Sequence, residues 1–540
     1  MSRKSQLLID QHANVQNHAS NYIVLPQGSL LLPTFCDLHL HAPQFLYQGT
    51  GLDRPLMQWL DAYALKAEAR LDAEPQLAKR VYDRLAQRLR ENGTGTVVLF
   101  GTIKNETKSV SMILARSMLQ AGIRAFVGKV SMDIDITPEH SPTHGIYIEP
   151  STSASLANAK QFLDDIDELL QLNDFSGGSE RRAREKRYVQ SLIRPVLTPR
   201  FVPTCTDELL KSIGGLAYER DVWIQTHVHE ARDEVEWVRG SRGMEGLEIL
   251  SRVCWSTHLC QRGNLTNHSQ NNLLTSRTIL SHCTYLPSDE ECATFSNTTQ
   301  SPVSESVSQS SRNNLNAATK TAVTDASSLS LASLPPTPYH SDPPLQSLKL
   351  LSSRLVTMAH CPLSNFYFSA GRAFPLREAL STGCRVGYGT DIAGGYSADV
   401  MNTMRTGVIT GRGREGGRKE AEKEISCGER GNNNNVESLA IDWKESLYIA
   451  TRGGAIALGL KGMFVVGGTF DAQEIKLYDS VKGQGVGPLD FFDAERDLGE
   501  DSSTELEDPE FPLNEDAIEK WWCLGDFRNR GRMWVLGREI

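Results

Sequence analysis

The sequence predicts an α/β chain built on a closed (β/α)8 barrel. Three observations predict it. Short β-rich runs alternate with helix-length segments, there are eight such runs, and several of them end in histidine or aspartate. Alternation of this kind implies parallel strands joined by crossover helices. Eight such strands fit a barrel, and barrels of this type place their chemistry at the C-terminal strand ends.

The first run is LLLPTFCDL at 30–38. A helical pattern at 72–92 leads to TGTVVLFGT at 94–102, and the helical SVSMILARSMLQ leads to GIRAFVGKV at 122–130. Then come IRPVLTPRF (193–201), RDVWIQTH (220–227), RTILSH (277–282), SRLVTMAH (353–360) and CRVGYGTD (384–391). The terminal RGRMWVLGREI alternates like a strand and needs a partner outside the barrel.

Other segments lack the apolar content of a packed core. Residues 296–348 are rich in Ser, Thr, Asn and Pro and predict a disordered, dispensable insertion between the sixth and seventh strands. A second insertion is predicted at 411–436, which is Gly-rich, charged and closed by an Asn run. The acidic 493–511 predicts a mobile loop, and the basic SERRAREKRY at 179–188 a solvated helix face.

The whole chain sets further bounds. Its 540 residues can bury a large core, and the net charge of −10 argues against a nucleic-acid partner. No run approaches the roughly 18 apolar residues of a membrane helix. The N-terminal stretch has no apolar core ahead of a small-residue cleavage site, so a secretory signal is not expected. Ten cysteines without a CxxC pair suggest reduced thiols and a cytoplasmic setting.

His39 and His41 stand two apart in CDLHLH. Strand side chains alternate with period two, so both face one way, as a metal requires. A chance His-x-His is common at this histidine content, and His227 with His229 makes another. The signal gains weight from the other strand ends, QTHVHE, LSHCTY and GYGTD, which bring His227, His282 and Asp391 to the same rim. Three imidazoles and a carboxylate suit zinc with a position left open for water. Bound zinc brings the pKa of water to about 7. Glu230, three residues after His227, is placed to move protons. Blander readings exist. Asp391 could be a helix N-cap, His229 a supporting or surface residue, and His360 a purely structural one. The remaining histidines, His12, His18, His140, His144, His258, His268 and His340, are expected in solvent.

HAPQFLYQGTGLDRPLMQWL (41–60), GKVSMD (128–133), TPRF (198–201), HVHE, HCPLSN, GTDIAGGYS and YIATRGGAIALGL (448–460) together resemble the amidohydrolase superfamily, and within it the guanine deaminases. The resemblance runs from about residue 30 to the C-terminus. It implies a barrel over 30–460, and a small β-sandwich from 1–29 and 461–540. Only 38 residues precede His39, so an incomplete sandwich is expected. It implies one Zn²⁺ per chain on His39, His41, His227 and Asp391. Glu230 would shuttle protons and Asp391 would take the proton of water. His282 would orient that water or touch the metal. Gln44, Arg200 and Phe201 would hold the base, beside His227, Glu230 and Asp391. The implied reaction is guanine plus water to xanthine plus ammonia, with no nucleic-acid or membrane partner; a homodimer is one open assembly. Leu363 departs from the family, which commonly has Asn there. Two alternatives remain: an aminohydrolase for a pterin, triazine or modified purine, and a non-catalytic scaffold.

Overall fold

The computed structural model describes residues 23–104, 110–141, 144–171, 179–252, 273–289, 344–369, 372–426, 437–490 and 513–540. They form fourteen strands, named in chain order β1 (Ser29–Pro33), β2 (Phe35–His41), β3 (Thr94–Phe100), β4 (Arg124–Ser131), β5 (Ile193–Pro199), β6 (Trp223–Val228), β7 (Thr278–His282), β8 (Thr357–His360), β9 (Arg385–Tyr388), β10 (Ala472–Lys476), β11 (Tyr478–Asp479), β12 (Gln484–Gly485), β13 (Arg530–Val535) and β14 (Arg538–Glu539). Strands β2 to β9 make one sheet in sequence order, and every neighbouring pair is parallel. The backbone then closes on itself just beyond β9. Asp391 N donates to His39 O at 2.8 Å, and His41 N donates to Ile392 O at 3.0 Å. The predicted barrel is therefore present, and its seam joins the segment of Asp391 to the strand of the paired histidines.

The first predicted strand needs correction. Residues 30–38 are not one strand but parts of β1 and β2, which break at Thr34. The two belong to different sheets. The register of β2 against β3 also slips between Asp37 and Leu40. A bulge of this kind re-aims side chains locally. Leu38 joins an interior cluster with Cys36, Val98, Phe126, Val196, Ile279 and Ala359, drawn from six strands. His39 meets the ring of Phe100 at 4.9 Å and His41 meets it at 4.5 Å. Strict alternation would have put Leu38 and His39 on opposite faces.

Contacts divide the chain into two units, Pro33–Gln473 with Arg532–Ile540, and Met1–Leu32 with Glu474–Gly531. In the larger unit, Arg124 and Asp471 form a two-pronged ion pair at 2.8 and 3.0 Å. In the smaller, Asn514 caps the helix Glu515–Leu524, and Asn529 Nδ2 donates to the carbonyls of Lys476 and Val486. The terminal residues do pair outside the barrel. β13 and β14 form an antiparallel hairpin, with Trp534 opposite Glu539 and Val535 opposite Arg538. Leu536 and Gly537 turn it with positive φ at both positions, as a two-residue hairpin turn prefers.

Two predicted insertions need correction where they are described. A single helix runs Val400–Ser426, through the first part of 411–436. Its polar residues find partners that composition does not reveal: Arg414 pairs with Glu378 through both guanidinium nitrogens, and buried Glu415 accepts from Leu439 N at 2.9 Å. The end of 296–348 is also ordered, because Leu345–Ser353 is a helix with Ser347, Leu348 and Leu351 buried. The rest of those two segments, and all of 493–511, lie outside the described residues. The basic stretch lies in a helix, Ser179–Leu192.

Candidate active site

The strand ends converge. Nε2 of His41 and Nε2 of His227 lie 2.9 Å apart. Nε2 of His39 is 3.1 Å from Asp391 Oδ1, and Nε2 of His41 is 3.8 Å from the same oxygen. Nε2 of His282 lies 3.8 Å from Asp391 Oδ2 and 3.5 Å from Glu230 Oε2. All of these side chains are buried. Among the described residues, the groups able to hold a metal draw on His39, His41, His227, Asp391, His282, Glu230 and Cys361.

The donor set fits a metal. The outer nitrogen of His227 is fixed, since Nδ1 donates to Arg200 O at 2.6 Å, so Nε2 keeps its lone pair. Nδ1 of His39 is 2.8 Å from Ser281 Oγ, and Nδ1 of His282 is 2.9 Å from Asn365 Oδ1. Nε2 of His282 is buried without a hydrogen-bond partner, and Nε2 of His39 faces the Asp391 carboxylate. Burial holds His41 and His227 well below the usual histidine range, and the other histidines add to it. Burial also lowers His282 to about 4, against the pull of Asp391. His41, His227 and His282 are thus neutral at neutral pH, the form that binds zinc.

The two carboxylates are driven apart. Burial raises Glu230 well above the usual range, with Asp391 and Glu234 adding repulsion. Burial also opposes ionisation of Asp391, but His39 reverses it and the carboxyl lies below its ordinary value. Two acids with opposite shifts can take different roles, one holding a proton and one receiving it. Glu234 supports the first of them: its carboxylate accepts from Glu230 N at 2.7 Å and His229 N at 3.3 Å.

The backbone is strained at these places. His229, His282, Cys283 and Asp391 all have positive φ, between 50 and 73°. Such conformations cost roughly 1–3 kcal/mol each and cluster where a site over-determines them.

Beside the cluster opens a pocket lined by His41, Gln44, Leu56, Trp59, Leu60, Arg200, Phe201, His227, Glu230, Phe368, Asp391 and Gly394. Each residue read from the sequence as binding the base lines it. His229 lies apart from the cluster: it is buried, and its Nε2 accepts from Leu247 N at 3.2 Å. His360 is buried and stacks on Phe374 at 4.7 Å, outside the cavity lining. Of the histidines expected in solvent, His140 and His144 are exposed, and the other five lie outside the described residues.

Several residues escaped the sequence reading. Glu68 sits in an ordinary helical stretch with no motif around it. Ser281 adjoins a quoted histidine, and Ser364 and Asn365 lie inside the quoted HCPLSN, yet none was given a role. Ser364 bonds Asp391, and Asn365 bonds His282. The departure at Leu363 therefore leaves both of these bonds in place. Ser281→Ala should lower zinc affinity by about 10- to 100-fold, the usual cost of losing a partner behind a metal-binding histidine. Titration with a zinc-competing dye checks it, and unchanged affinity would remove Ser281 from the support of His39.

Residues 30–497 match the model of the amidohydrolase family. The chain is 29% identical to guanine deaminase of Dictyostelium discoideum over 521 residues, which cover 96% of this chain and 84% of that protein. It is 29% identical to guanine deaminase of Homo sapiens over 522 residues, with the same coverage. Among solved structures, guanine deaminase from C. acetobutylicum with bound guanine matches with a TM-score of 0.62 at 23% identity, over 97% of this chain and 90% of that one. An adenosine deaminase from Xanthomonas campestris with bound zinc matches with a TM-score of 0.57 at 19% identity, over 95% and 80%. These two likenesses concern the fold.

Proposed function

The chain belongs to the amidohydrolase family, and from that premise we propose that it is a zinc-dependent guanine deaminase, converting guanine and water to xanthine and ammonia. One observation carries the proposal. The histidine–aspartate cluster opens onto a cavity that also holds Glu230 and the base-binding set Gln44, Arg200 and Phe201. The similarity to guanine deaminases, over 96% of this chain and 84% of those proteins, points to the same substrate.

One zinc per chain is part of the proposal, held by His39, His41, His227 and Asp391. Zinc there would supply hydroxide from water near neutral pH. The chain's own residues do the rest. Gln44, Arg200 and Phe201 hold the ring so that its C2 amino carbon faces the cluster. Asp391, ionised, accepts the proton of the attacking water. Glu230, kept protonated by its buried setting, delivers a proton to the departing amine. His282, neutral and fixed by Asn365, presents Nε2 to the water and orients it. Water is limited by the apolar wall of Leu56, Trp59, Leu60 and Phe368, with Trp59 and Phe368 5.2 Å apart. A cytoplasmic location completes the reading. Every described cysteine is a free thiol, and no helix among the described residues is long and apolar enough to cross a membrane.

The test is conversion of guanine to xanthine, followed by absorbance and ammonia release, with chelator and after zinc is restored. Turnover lost to chelator and recovered with zinc is expected. Metal-free protein that turns guanine over at the full rate would overturn the proposal. Zinc-loaded protein inert to guanine would favour another ring substrate or a scaffold.

A further inference from the structure

We propose that Glu68 sets the specificity of the pocket, by fixing Gln44 and Arg200 as a wall rich in hydrogen-bond donors and free of net charge. The inference rests on the guanine reading above and adds a residue which that reading does not use.

Glu68 is completely buried. It lies on the helix Leu65–Ala73, directly after a π-helical stretch, Leu60–Ala64. Such stretches re-aim side chains at functional sites. Its carboxylate accepts from Arg200 Nη1 at 2.7 Å and Nη2 at 3.1 Å, and from Gln44 Nε2 at 3.0 Å. The Tyr147 hydroxyl bonds it too, while accepting from Ile103 N at 3.1 Å. Glu68 itself does not line the cavity, but Gln44 and Arg200 both do. It is therefore a positioning residue.

Two consequences follow from the geometry. The Gln44 amide is pinned at both ends, since its Oε1 accepts from Ala393 N at 3.0 Å. A flip would set that oxygen against the Glu68 carboxylate, two acceptors with no hydrogen between them. Arg200 has five N–H donors and no acceptor, and Glu68 occupies two of its nitrogens. The wall therefore offers hydrogen to a ligand and seeks acceptor atoms in return. The second consequence concerns charge. A guanidinium is charged at any ordinary pH, and Glu68 pairs it through two of its nitrogens. A paired cation in a buried wall does not select for anions. The ligand that fits is a neutral heteroaromatic ring bearing an oxo group where an amino group would clash. That favours a 6-oxopurine over a 6-aminopurine, and neutral over ionised xanthine.

Glu68→Gln tests this with three readouts: the kcat and KM for guanine, the kcat/KM ratio of guanine to 2,6-diaminopurine, and inhibition by xanthine against pH. The diamino compound keeps the 2-amino group and replaces the oxo group with an amine. Losing one charged hydrogen-bond partner should raise the guanine KM by about tenfold or more, with a smaller change in kcat. The guanine preference should fall by a similar factor. Xanthine inhibition of the unaltered enzyme should weaken as pH rises and the ligand ionises. In the variant it should strengthen, because unpaired Arg200 attracts the anion. A merely structural Glu68 would lower Tm and leave the ratio and the pH trend unchanged, and that result overturns the inference. If Glu68→Gln does not fold, Glu68→Asp serves. It keeps the charge but is one methylene short of holding both partners, so the guanine preference should fall while neutral xanthine stays favoured; an unchanged preference overturns the inference. Unaltered enzyme that fails to deaminate guanine would overturn the functional reading itself and this inference with it. Normal guanine turnover beside an unaffected variant would overturn Glu68 alone.

Discussion

Glu230→Gln should lower kcat for guanine by about 10²- to 10⁴-fold while zinc content and Tm stay near those of the unaltered protein. Glutamine is nearly isosteric with glutamate, and the proposed zinc ligands do not include Glu230. The backbone around it is held independently, since Glu230 N donates to Glu234 at 2.7 Å. What the substitution removes is a proton. The carboxyl is buried against Asp391 and Glu234 and its pKa is raised well above the usual range, so it is protonated where an ordinary glutamate is not. The departing amine needs that proton. The sign of the pH dependence follows. The donor form is present below the raised pKa and is lost as pH rises through it, so kcat should fall on the alkaline side. In Glu230→Gln that alkaline limb should disappear along with most of the rate. Guanine KM should move less, because Gln44, Arg200 and Phe201 are untouched. Measuring kcat against pH, zinc and Tm on one variant decides the matter. A near-normal kcat with lowered Tm would make Glu230 a structural carboxylate.

Asp391→Ala should be more severe, abolishing both zinc binding and turnover. Asp391 approaches three imidazoles, lying within 3.1–3.8 Å of His39, His41 and His282. Its backbone also forms the barrel seam through His39 O. Removing the carboxylate leaves a set of imidazoles with no anion to balance a divalent cation. Without hydroxide from a bound water, the nucleophile reverts to water of pKa about 15.7, and a loss beyond roughly 10⁴-fold is expected. Elemental analysis and the guanine assay check it together. The backbone bond does not depend on the side chain, so the barrel should survive, as circular dichroism would show. A variant that retained full zinc would remove Asp391 from the ligand set.

Much of this site was legible because barrels place chemistry at strand ends. His39, His41, His227, His282 and Asp391 each close a hydrophobic run, and such a run identifies its own end. Glu68 gave no such signal. It lies eight residues beyond the last of the tryptophan–leucine residues that line the pocket, in a helix whose π-helical start is not written in any residue type. The helix through 411–426 was missed for a related reason. Glycines and charges locally favour disorder, and the compensation comes from Glu378 and Leu439, elsewhere in the chain.

The sequence by itself determined the barrel, the strand order and the residues that meet at its rim. Hydrophobic periodicity and strand–helix alternation are local properties, and parallel connection follows from them. Only the tertiary structure decided how those residues are charged and held. The bulge in β2 that turns Leu38 and His39 both inward is a matter of register between strands. The opposite shifts of Glu230 and Asp391 depend on burial and on neighbours distant in sequence. The pairing of Arg200 with Glu68 joins residues 132 apart. Protonation and hydrogen-bond direction are set by what surrounds a group in space, and a linear sequence does not carry that information.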